Sequence, residues 1–318
     1  MSGPGISRLC PSCREVTIPG VFPRSEEITS TTRMPTSATE PALLDQPTTE
    51  RAPRLSRRGP IMPIGGAEDK FNDRIILSTF TQLAGGRDAR IAIMPTASSI
   101  ESAGERYKAI FLELGAHSAE VVYIADREDA NDDEVIEALR NATGIFITGG
   151  NQMRLSTIVG GTKAAALVRD RNEAGAIVAG TSAGASILSS HMVAFGASGE
   201  TPKQRMAQMV AGFGLVPELI IDQHFRQRDR IGRLLMFVAS NPGLLGVGID
   251  EDTAALIGAN GVLEVIGRNT ITIVDGTHMY SDIFQVKGHG SITISGAILH
   301  VLTPGRRFDL NSRRLLDR

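Results

Sequence analysis

The chain has 318 residues, of which 42% are hydrophobic and 21% charged, and its formal net charge is -2. This composition is typical of a globular protein that is long enough to bury a core. The near-neutral charge and the absence of Trp argue against general nucleic-acid binding, and no apolar run has the length of a membrane span.

Residues 1–58 differ in composition from the rest of the chain. They contain 8 of the 15 prolines, 8 Arg and no Lys, and they show no sustained periodicity. Such a segment cannot bury enough apolar surface to offset its ordering entropy. We therefore expect a disordered N-terminal extension at 1–58, followed by a single α/β domain at 59–318. Both cysteines, Cys10 and Cys13, lie in the extension as an isolated pair that does not indicate a metal or redox site.

From Gly59 onward, short apolar runs alternate with helical patterns. The predicted strands are 61–64, 90–94, 119–124, 144–148 and 176–179, and the predicted helices are 69–83, 105–114, 132–139, 152–158 and 163–172. This alternation predicts a doubly wound, mostly parallel sheet whose ligands bind beyond the carboxyl ends of the strands. Further strands are predicted at 255–257, 262–266 and 270–274 as an antiparallel extension of that sheet, then a strand pair at 292–294 and 297–302 and a polar tail at 306–318.

A Gly-x-Ser-x-Gly sequence, residues 180–184, follows the fifth predicted strand and precedes a segment suited to a helix. In that context the pattern indicates a nucleophile elbow, a tight turn that exposes the Ser182 hydroxyl. Backbone amides just after such a turn can stabilise an oxyanion. The elbow predicts acyl-transfer chemistry, which requires a base and an acid.

A His at the end of a strand is the best candidate for the base. His224 follows the apolar run Ile220–Ile221, whereas the other five candidates lack such a setting: His117, His191, His278, His289 and His300. Catalytic bases of Ser hydrolases on α/β sheets occupy strand ends. For the acid that orients the imidazole, spacing leaves Asp222, Glu200 and Glu251 open.

The segment after His224 is rich in Arg. Arg226, Arg230 and Arg233 share one face of a predicted helix, and Arg228 lies elsewhere. Guanidinium groups next to a catalytic base suit the carboxylates of a substrate. The cluster predicts binding of an anionic or zwitterionic peptide.

Five separated motifs, in this order, resemble those of the cyanophycinases: residues 65–70, 148–152, 180–185, 222–225 and 248–254. The resemblance runs from about residue 59 to about residue 275. It implies a class I glutamine-amidotransferase-like (flavodoxin-like) sheet, shared with the related aspartyl dipeptidases. Asn151 is a departure, because the family pattern often has Asp there.

The resemblance also implies roles for individual residues. Ser182 is implied as nucleophile, His224 as base and Glu251 as acid, and the amides of Gly150 and Ala183 would form the oxyanion hole. The implied substrate-binding residues are Gln152, Asp222, Gln223, Arg228, Arg230 and Arg233. Asp222 would meet a guanidinium of the substrate, and part of the Arg cluster would meet its carboxylates.

The implied substrate is cyanophycin, a poly-aspartate backbone with Arg attached to each side-chain carboxyl. The implied enzyme is a serine-type exopeptidase that releases β-Asp-Arg dipeptides, although the residues alone leave endo and exo cleavage open. We expect no cofactor, no metal, no nucleic-acid or membrane partner, a cytoplasmic location and a homodimer. Two alternatives remain: an aspartyl-dipeptidase-like enzyme that acts on short Asp-containing peptides, and a binding protein that uses the same pocket without catalysis.

Overall fold

The computed structural model describes residues 58–316. Residues 1–57, which hold nearly all of the predicted extension and both cysteines, lie outside the described residues. None of the helices within 58–316 is long and apolar enough to cross a membrane. In chain order the strands are β1 (Ile61–Ile64), β2 (Arg90–Met94), β3 (Ser118–Val121), β4 (Gly144–Ile147), β5 (Ile177–Thr181), β6 (His191–Gly196), β7 (Ala207–Ala211), β8 (Leu219–Gln223), β9 (Leu245–Ile249), β10 (Thr253–Ile257), β11 (Val262–Gly267), β12 (Ile271–Asp275), β13 (Tyr280–Ser281), β14 (Ile294–Ser295), β15 (Ile298–Leu302), β16 (Arg307–Asp309) and β17 (Arg314–Leu315). The α-helices are α1 (Ile75–Leu83), α2 (Ala103–Glu113), α3 (Asp133–Arg140), α4 (Gln152–Val159), α5 (Lys163–Glu173), α6 (Ala183–Ser186) and α7 (Ile231–Ser240).

The main sheet has nine strands in the order β17-β16-β11-β10-β1-β5-β4-β2-β3. On one side of β1, the strands β5, β4, β2 and β3 pair in parallel. On the other side, β10, β11, β16 and β17 continue the sheet antiparallel. This confirms a mixed α/β fold built on a large sheet, and it places β1 at the junction of the two halves.

The two faces of the parallel half are covered by different helices. Ile91 and Ile93 of β2 pack in a core with α1 and α2, whereas Ala92 and Met94 pack in a second core with α3, α4 and α5. Successive side chains of a strand point to opposite faces, so this alternation buries β2 on both sides. Near-continuous apolar runs such as the one at 91–94 are therefore what the fold requires.

The first helix begins later than predicted, at Ile75 instead of residue 69. The Asp69 carboxylate accepts the backbone N–H groups of Phe71, Asn72, Asp73 and Arg74 and folds this segment into a turn. These amides, with that of Asn72 contributing most, hold the pKa of Asp69 well below its usual value. Phe71, predicted to lie on the apolar stripe of the helix, is consequently 72% exposed.

The C-terminal region differs from the prediction in three ways. β12 does not extend the main sheet but joins a second, four-stranded sheet in the order β15-β12-β9-β8. The predicted strand pair about residue 295 does not form, because β15 pairs with β12 and β14 pairs with β13. The predicted polar tail contributes β16 and β17 to the main sheet, where Phe308 is fully buried.

Candidate active site

The ends of strands from both sheets meet at the turn that follows β1. His224, the residue after β8, donates its backbone N–H to the carbonyl of Gly65 at 2.8 Å. Asp252, which lies between β9 and β10, donates its N–H to the carbonyl of Gly66 at 2.9 Å. Ser182, directly after β5, donates its N–H to the carbonyl of Ile64 at 3.0 Å. The end of β1 and the turn after it therefore fix three segments that carry chemically active side chains.

Ser182 occupies a strained turn between β5 and the short helix α6. Its φ is 53° and its ψ is -111°, a conformation that costs of order 1–3 kcal/mol in a residue with a side chain. A Cβ on Gly180 would lie 2.0 Å from the carbonyl oxygen of Gly184, and one on Gly184 would lie 2.2 Å from that of Ile147. The glycines of the Gly-x-Ser-x-Gly sequence are thus required by close backbone approach, as in a nucleophile elbow.

The side chains of Ser182, His224 and Glu251 form a chain of hydrogen bonds. Ser182 Oγ lies 2.9 Å from His224 Nε2, and His224 Nδ1 lies 2.6 Å from Glu251 Oε1. When Nδ1–H donates to the Glu251 carboxylate, Nε2 is left to accept the hydroxyl proton of Ser182. This is the geometry of a nucleophile, a base and an orienting acid.

The His224 imidazole is held in place by its surroundings. Its side chain is only 10% exposed, and its backbone has a φ of 47°. A Cβ on Gly66 would lie 2.3 Å from His224 Cε1, so the turn after β1 packs directly against the ring. Glycine at position 66 therefore leaves room for the His224 ring.

Burial lowers the pKa of His224 below its ordinary value, because the charged imidazolium loses water. The hydrogen bond to Glu251 opposes this effect, and the positive charges of Arg228 and Arg230 reinforce it. The net shift favours the neutral imidazole, which is the form that accepts a proton from serine.

The three acids left open by the sequence occupy different surroundings. Glu251 lies against His224 Nδ1, and its backbone N–H donates to Gln227 Oε1 at 3.1 Å. Glu200 is exposed in the loop between β6 and β7. Asp222 is buried and faces two Arg side chains.

The predicted oxyanion donors are the backbone N–H groups of Gly150 and Ala183. Within residues 58–316, neither the amide of Gly150 nor that of Ala183 donates to a carbonyl of the protein. Gly150 has a φ of 145°, and a Cβ there would lie 2.0 Å from the carbonyl oxygen of Ala97. Only glycine fits this turn beside the nucleophile.

The predicted substrate-binding cluster is largely an internal network. Arg233 forms a bidentate pair with Asp222, through Nε at 2.6 Å and through Nη2. Arg230 Nη1 lies 3.2 Å from Asp222 Oδ1 and also donates to the backbone and side chain of Gln223. Burial lowers the pKa of Arg230 to about 10, with Asp222 opposing the shift.

The structure corrects one expectation about this segment. The predicted helix from Arg226 begins only at Ile231, so the three Arg residues do not share one exposed helical face. Asp222 is 1% exposed and its carboxylate pairs with Arg233 and Arg230. Its predicted contact with a guanidinium of the substrate stays a prediction. Arg228 is exposed.

Gln152, at the start of α4, holds the strand β6 in place. Its Nε2 donates to the carbonyl of Ala194 at 2.7 Å and lies 3.3 Å from that of Val193. Asn151, the departure from the family pattern, accepts the N–H groups of Met153 and Arg154 as the N-cap of α4. Asn caps a helix as well as Asp does, so the departure leaves the turn after Gly150 intact.

A cavity of about 220 Å³ opens next to Ser182 on the side of α2. We call it the Lys70 cavity and define it by the residues Glu68, Lys70, Arg106, Tyr107, Thr181 and Ser182 among its lining. Sequence reasoning assigned no role to these residues apart from Ser182. The available signal was the charged sequence Glu68-Asp69-Lys70, which lies one residue after the Gly-Gly sequence.

Comparison with known proteins matches residues 61–265 of the chain to the model of "Peptidase family S51". The chain is 42% identical over 269 residues to a cyanophycinase from Trichormus variabilis, covering 84% of this chain and 90% of the relative. It is 41% identical over 255 residues to a cyanophycinase from Geminocystis herdmanii, covering 79% of this chain and 94% of the relative.

A crystal structure of a peptidase from an acI-B1 Actinobacterium has a similar fold. The TM-score is 0.56 at 22% sequence identity, over 76% of this chain and 96% of that one. Identity at this level supports the fold alone.

Proposed function

The chain belongs to peptidase family S51, and from this premise we propose that it is a serine peptidase that hydrolyses cyanophycin to β-Asp-Arg dipeptides. Relatives named cyanophycinase, about 40% identical over most of the chain, support the substrate. The observation that carries the chemistry is the hydrogen-bonded chain from Ser182 through His224 to Glu251, with distances of 2.9 and 2.6 Å.

In the proposed mechanism, Ser182 Oγ attacks a backbone carbonyl carbon of the poly-aspartate chain. His224 Nε2 takes the hydroxyl proton, and the Glu251 carboxylate stabilises the imidazolium that results. The amides of Gly150 and Ala183 donate to the oxyanion of the tetrahedral intermediate, a contribution of about 2.7–4 kcal/mol for one such donor in other enzymes.

Collapse of the intermediate breaks the peptide bond. The imidazolium gives its proton to the leaving amine, and the acyl group stays on Ser182 as an ester. A water molecule then attacks the ester while His224 again takes a proton, and the carboxylic acid product leaves with Ser182 restored. His224 receives a proton first from Ser182 and then from water, and it returns one to the leaving amine and one to Ser182. This scheme therefore needs no metal or cofactor.

The substrate-binding roles are proposed in two groups. Arg228, exposed beside His224, and Gln152 are proposed to contact the substrate directly. Asp222, Gln223, Arg230 and Arg233 are proposed to shape the pocket as one buried network, because their polar groups already pair with one another.

Further features of the whole protein accompany this function as proposals. The sheet is proposed to be class I glutamine-amidotransferase-like, in a single peptidase domain at 59–318. A homodimer that binds no nucleic acid and resides in the cytoplasm is also proposed, the last supported by the lack of cysteine after Cys13.

Incubation of the purified protein with cyanophycin, followed by mass analysis of the products, tests the proposal. We expect β-Asp-Arg from the wild type and none from Ser182→Ala. Cleavage of α-linked Asp dipeptides without release of β-Asp-Arg would instead support the aspartyl-dipeptidase-like alternative. Hydrolysis that survives in Ser182→Ala would refute the serine mechanism, and a wild type that hydrolyses neither substrate would favour a binding protein.

A further inference from the structure

The Lys70 cavity shares the nucleophile with the active site but lies apart from the Asp222 network. Its volume of about 220 Å³ is smaller than the ~300–1,000 Å³ typical of pockets that enclose a whole drug-sized ligand. It therefore suits one group of a substrate unit whose scissile carbonyl lies at Ser182.

Glu68 is fixed at the base of this cavity and cannot bind a substrate cation. Its side chain is 1% exposed. Oε1 accepts the hydroxyl of Tyr107 and lies 3.0 Å from Lys70 Nζ, while Oε2 accepts the hydroxyl of Thr181 at 2.6 Å. Both oxygens are used, so Glu68 orients its three neighbours.

Lys70 keeps one donor for a ligand. An ammonium group has three N–H donors, and Lys70 Nζ directs two of them to Glu68, at Oε1 and at the backbone oxygen, 3.0 and 3.2 Å away. Its Nζ also lies 5.3 Å from the centre of the Tyr107 ring. These contacts fix the ammonium group at the wall of the cavity, and the Lys70 side chain as a whole remains 18% exposed.

Arg106 supplies a second cation. It is exposed on the first turns of α2, and its guanidinium carbon lies 5.0 Å from the centre of the Phe71 ring. Among the described residues the N–H groups of its guanidinium donate no hydrogen bond to another residue. Stacking on an aromatic ring restricts the guanidinium while leaving its N–H edge available for a carboxylate.

The charges of the cavity favour an anion. Glu68, Lys70 and Arg106 are the charged residues of its lining, so one positive charge remains after Glu68 is paired with Lys70. The other polar side chains of its lining carry hydroxyls: Ser98, Ser102, Tyr107, Thr148, Thr181 and Ser182. A carboxylate next to Ser182 would gain charge-assisted hydrogen bonds from both cations.

We propose that the Lys70 cavity is a second substrate subsite, in which Lys70 and Arg106 bind a carboxylate of the unit cleaved at Ser182. The inference rests on the proposed function, because it assigns a place to one group of that substrate. Two carboxylates have the required chemistry: the free α-carboxylate of an arginine attached to the backbone, and the α-carboxylate that ends the aspartate chain.

The variants Arg106→Gln and Lys70→Gln remove one cation each. Lys108→Gln is the matched control, because Lys108 lies on the same helix, pairs with Glu105 at 3.6 Å and does not line the cavity. Arg106 is exposed, so its variant is expected to fold. The rate of inactivation by a small serine-directed fluorophosphonate checks that Ser182 and His224 remain competent in each variant.

Three synthetic substrates of equal length distinguish the two carboxylates. The first is an oligomer of β-Asp-Arg units with all carboxylates free, the second carries argininamide in place of arginine, and the third ends in an α-carboxamide. We expect kcat/KM for the first substrate to fall about tenfold or more in Arg106→Gln and in Lys70→Gln, mainly through KM. We expect Lys108→Gln to match the wild type.

One of the two amidated substrates lacks the carboxylate that the cavity binds. The wild type should cleave that substrate more slowly than the first substrate. The wild type and both cavity variants should cleave it at equal rates. That pattern identifies the carboxylate. If both cavity variants match the wild type on all three substrates, or if Lys108→Gln loses as much as they do, the subsite is refuted while the proposed function stands. If the wild type reacts with the fluorophosphonate but cleaves none of the oligomers, the proposed function fails and this inference fails with it.

Discussion

At the scale of single residues, backbone strain is concentrated around the nucleophile. Ala67, Ser182, His224 and Asp252 have positive φ values of 49°, 53°, 47° and 49°. Each has a side chain, and such conformations persist where the surrounding structure imposes them. Three of the four donate hydrogen bonds to the end of β1 or to the turn after it, so this part of the chain supports the residues that we propose to be catalytic.

Gly66→Ala is expected to reduce kcat about 100-fold, because the added methyl group would overlap the His224 ring and displace it from Ser182. Gly115→Ala is the matched control. Gly115 also has a positive φ, 91° against 97° for Gly66, but a Cβ there meets no atom within 4 Å. Both variants incur a backbone cost of roughly 1–2 kcal/mol, which thermal unfolding measures. Equal kcat values in the two variants would show that the position of the His224 imidazole does not depend on the absence of a side chain at Gly66.

The acid limb of the activity profile is expected below pH 6.5, the ordinary imidazole value, because burial lowers the pKa of His224. Activity requires the neutral ring, so it is lost as the pH falls through this lowered pKa. Arg228 contributes to the lowering, and Arg228→Gln should therefore move the limb to higher pH.

The pH dependence of inactivation by a small, uncharged serine reagent measures this limb without relying on substrate contacts of Arg228. Arg154→Gln serves as a control, because Arg154 is exposed and does not contribute to the His224 shift. A limb that stays in place in Arg228→Gln, or moves to lower pH, would contradict the assignment.

Local sequence was sufficient to predict the turn at Ser182 and the strand end at His224, but not the hydrogen-bond partners of the residues around them. A Gly-x-Ser-x-Gly sequence after a strand predicts its own turn, because the close approaches involve residues within the motif or the adjacent strand. The pairing of Asp222 with Arg233 could not be predicted, since it depends on where α7 begins and how it packs on β8. Glu68 was missed for a similar reason: its partners Tyr107 and Thr181 are distant in the chain.

At the scale of elements, ion pairs of Asp222 connect the end of β8 with the start of α7. Its carboxylate meets Arg233 and Arg230 in a site where all three side chains are less than 10% exposed. A buried ion pair adds little net stability over apolar residues, but removing one partner leaves an uncompensated charge in the interior. The strand and the helix are therefore energetically coupled through this carboxylate.

Asp222→Asn is expected to lower the free energy of unfolding by about 3–5 kcal/mol, as for other broken buried pairs. Denaturant titration measures the change. Asp133→Asn provides the comparison, because Asp133 is 97% exposed and lies 3.7 Å from Lys163, and exposed pairs of this kind contribute little. A loss as small as that of Asp133→Asn would show that water already solvates the Asp222 network.

The strands β1, β2, β4 and β5 could be predicted because each is a mostly buried apolar run with a glycine or proline near its end, whereas the edge strand β3 is partly exposed and has no such run. The partners of the later strands could not. β10, β11 and β12 have similar local patterns, yet β10 and β11 join the main sheet and β12 joins β9. Alternation of apolar and polar side chains indicates that a segment is a strand. Which strands pair with one another is decided by contacts between segments far apart in the chain.

At the scale of the whole molecule, β1 is indispensable because it fills the middle of the main sheet. It pairs with β5 on one side and β10 on the other. Asn172 secures its entry, since its side chain donates to the carbonyls of Gly59, Pro60 and Ala176 at 3.0, 3.2 and 3.0 Å. Asn172 therefore anchors the residues that immediately precede β1 to the start of β5.

A chain that starts at Arg58 is expected to keep the stability of the full chain and its kcat/KM within roughly twofold. A chain that starts at Gly65 should not fold, because two sheet edges in the core would lose their partner. Circular dichroism and cyanophycin hydrolysis measure both properties. A large loss of activity in the longer of the two truncated chains would show that residues 1–57 contribute to the site.

The central position of β1 also determines how much of the chain must be synthesised before activity can arise. The strand leaves the ribosome early, but its partner β10 ends at Ile257, after Ser182, His224 and Glu251 have all been made. Because β1 and the turn after it hold these three segments together, we expect a nascent chain to acquire its peptidase site only when β10 has paired with β1. Incomplete chains would then carry the catalytic side chains without a working peptidase.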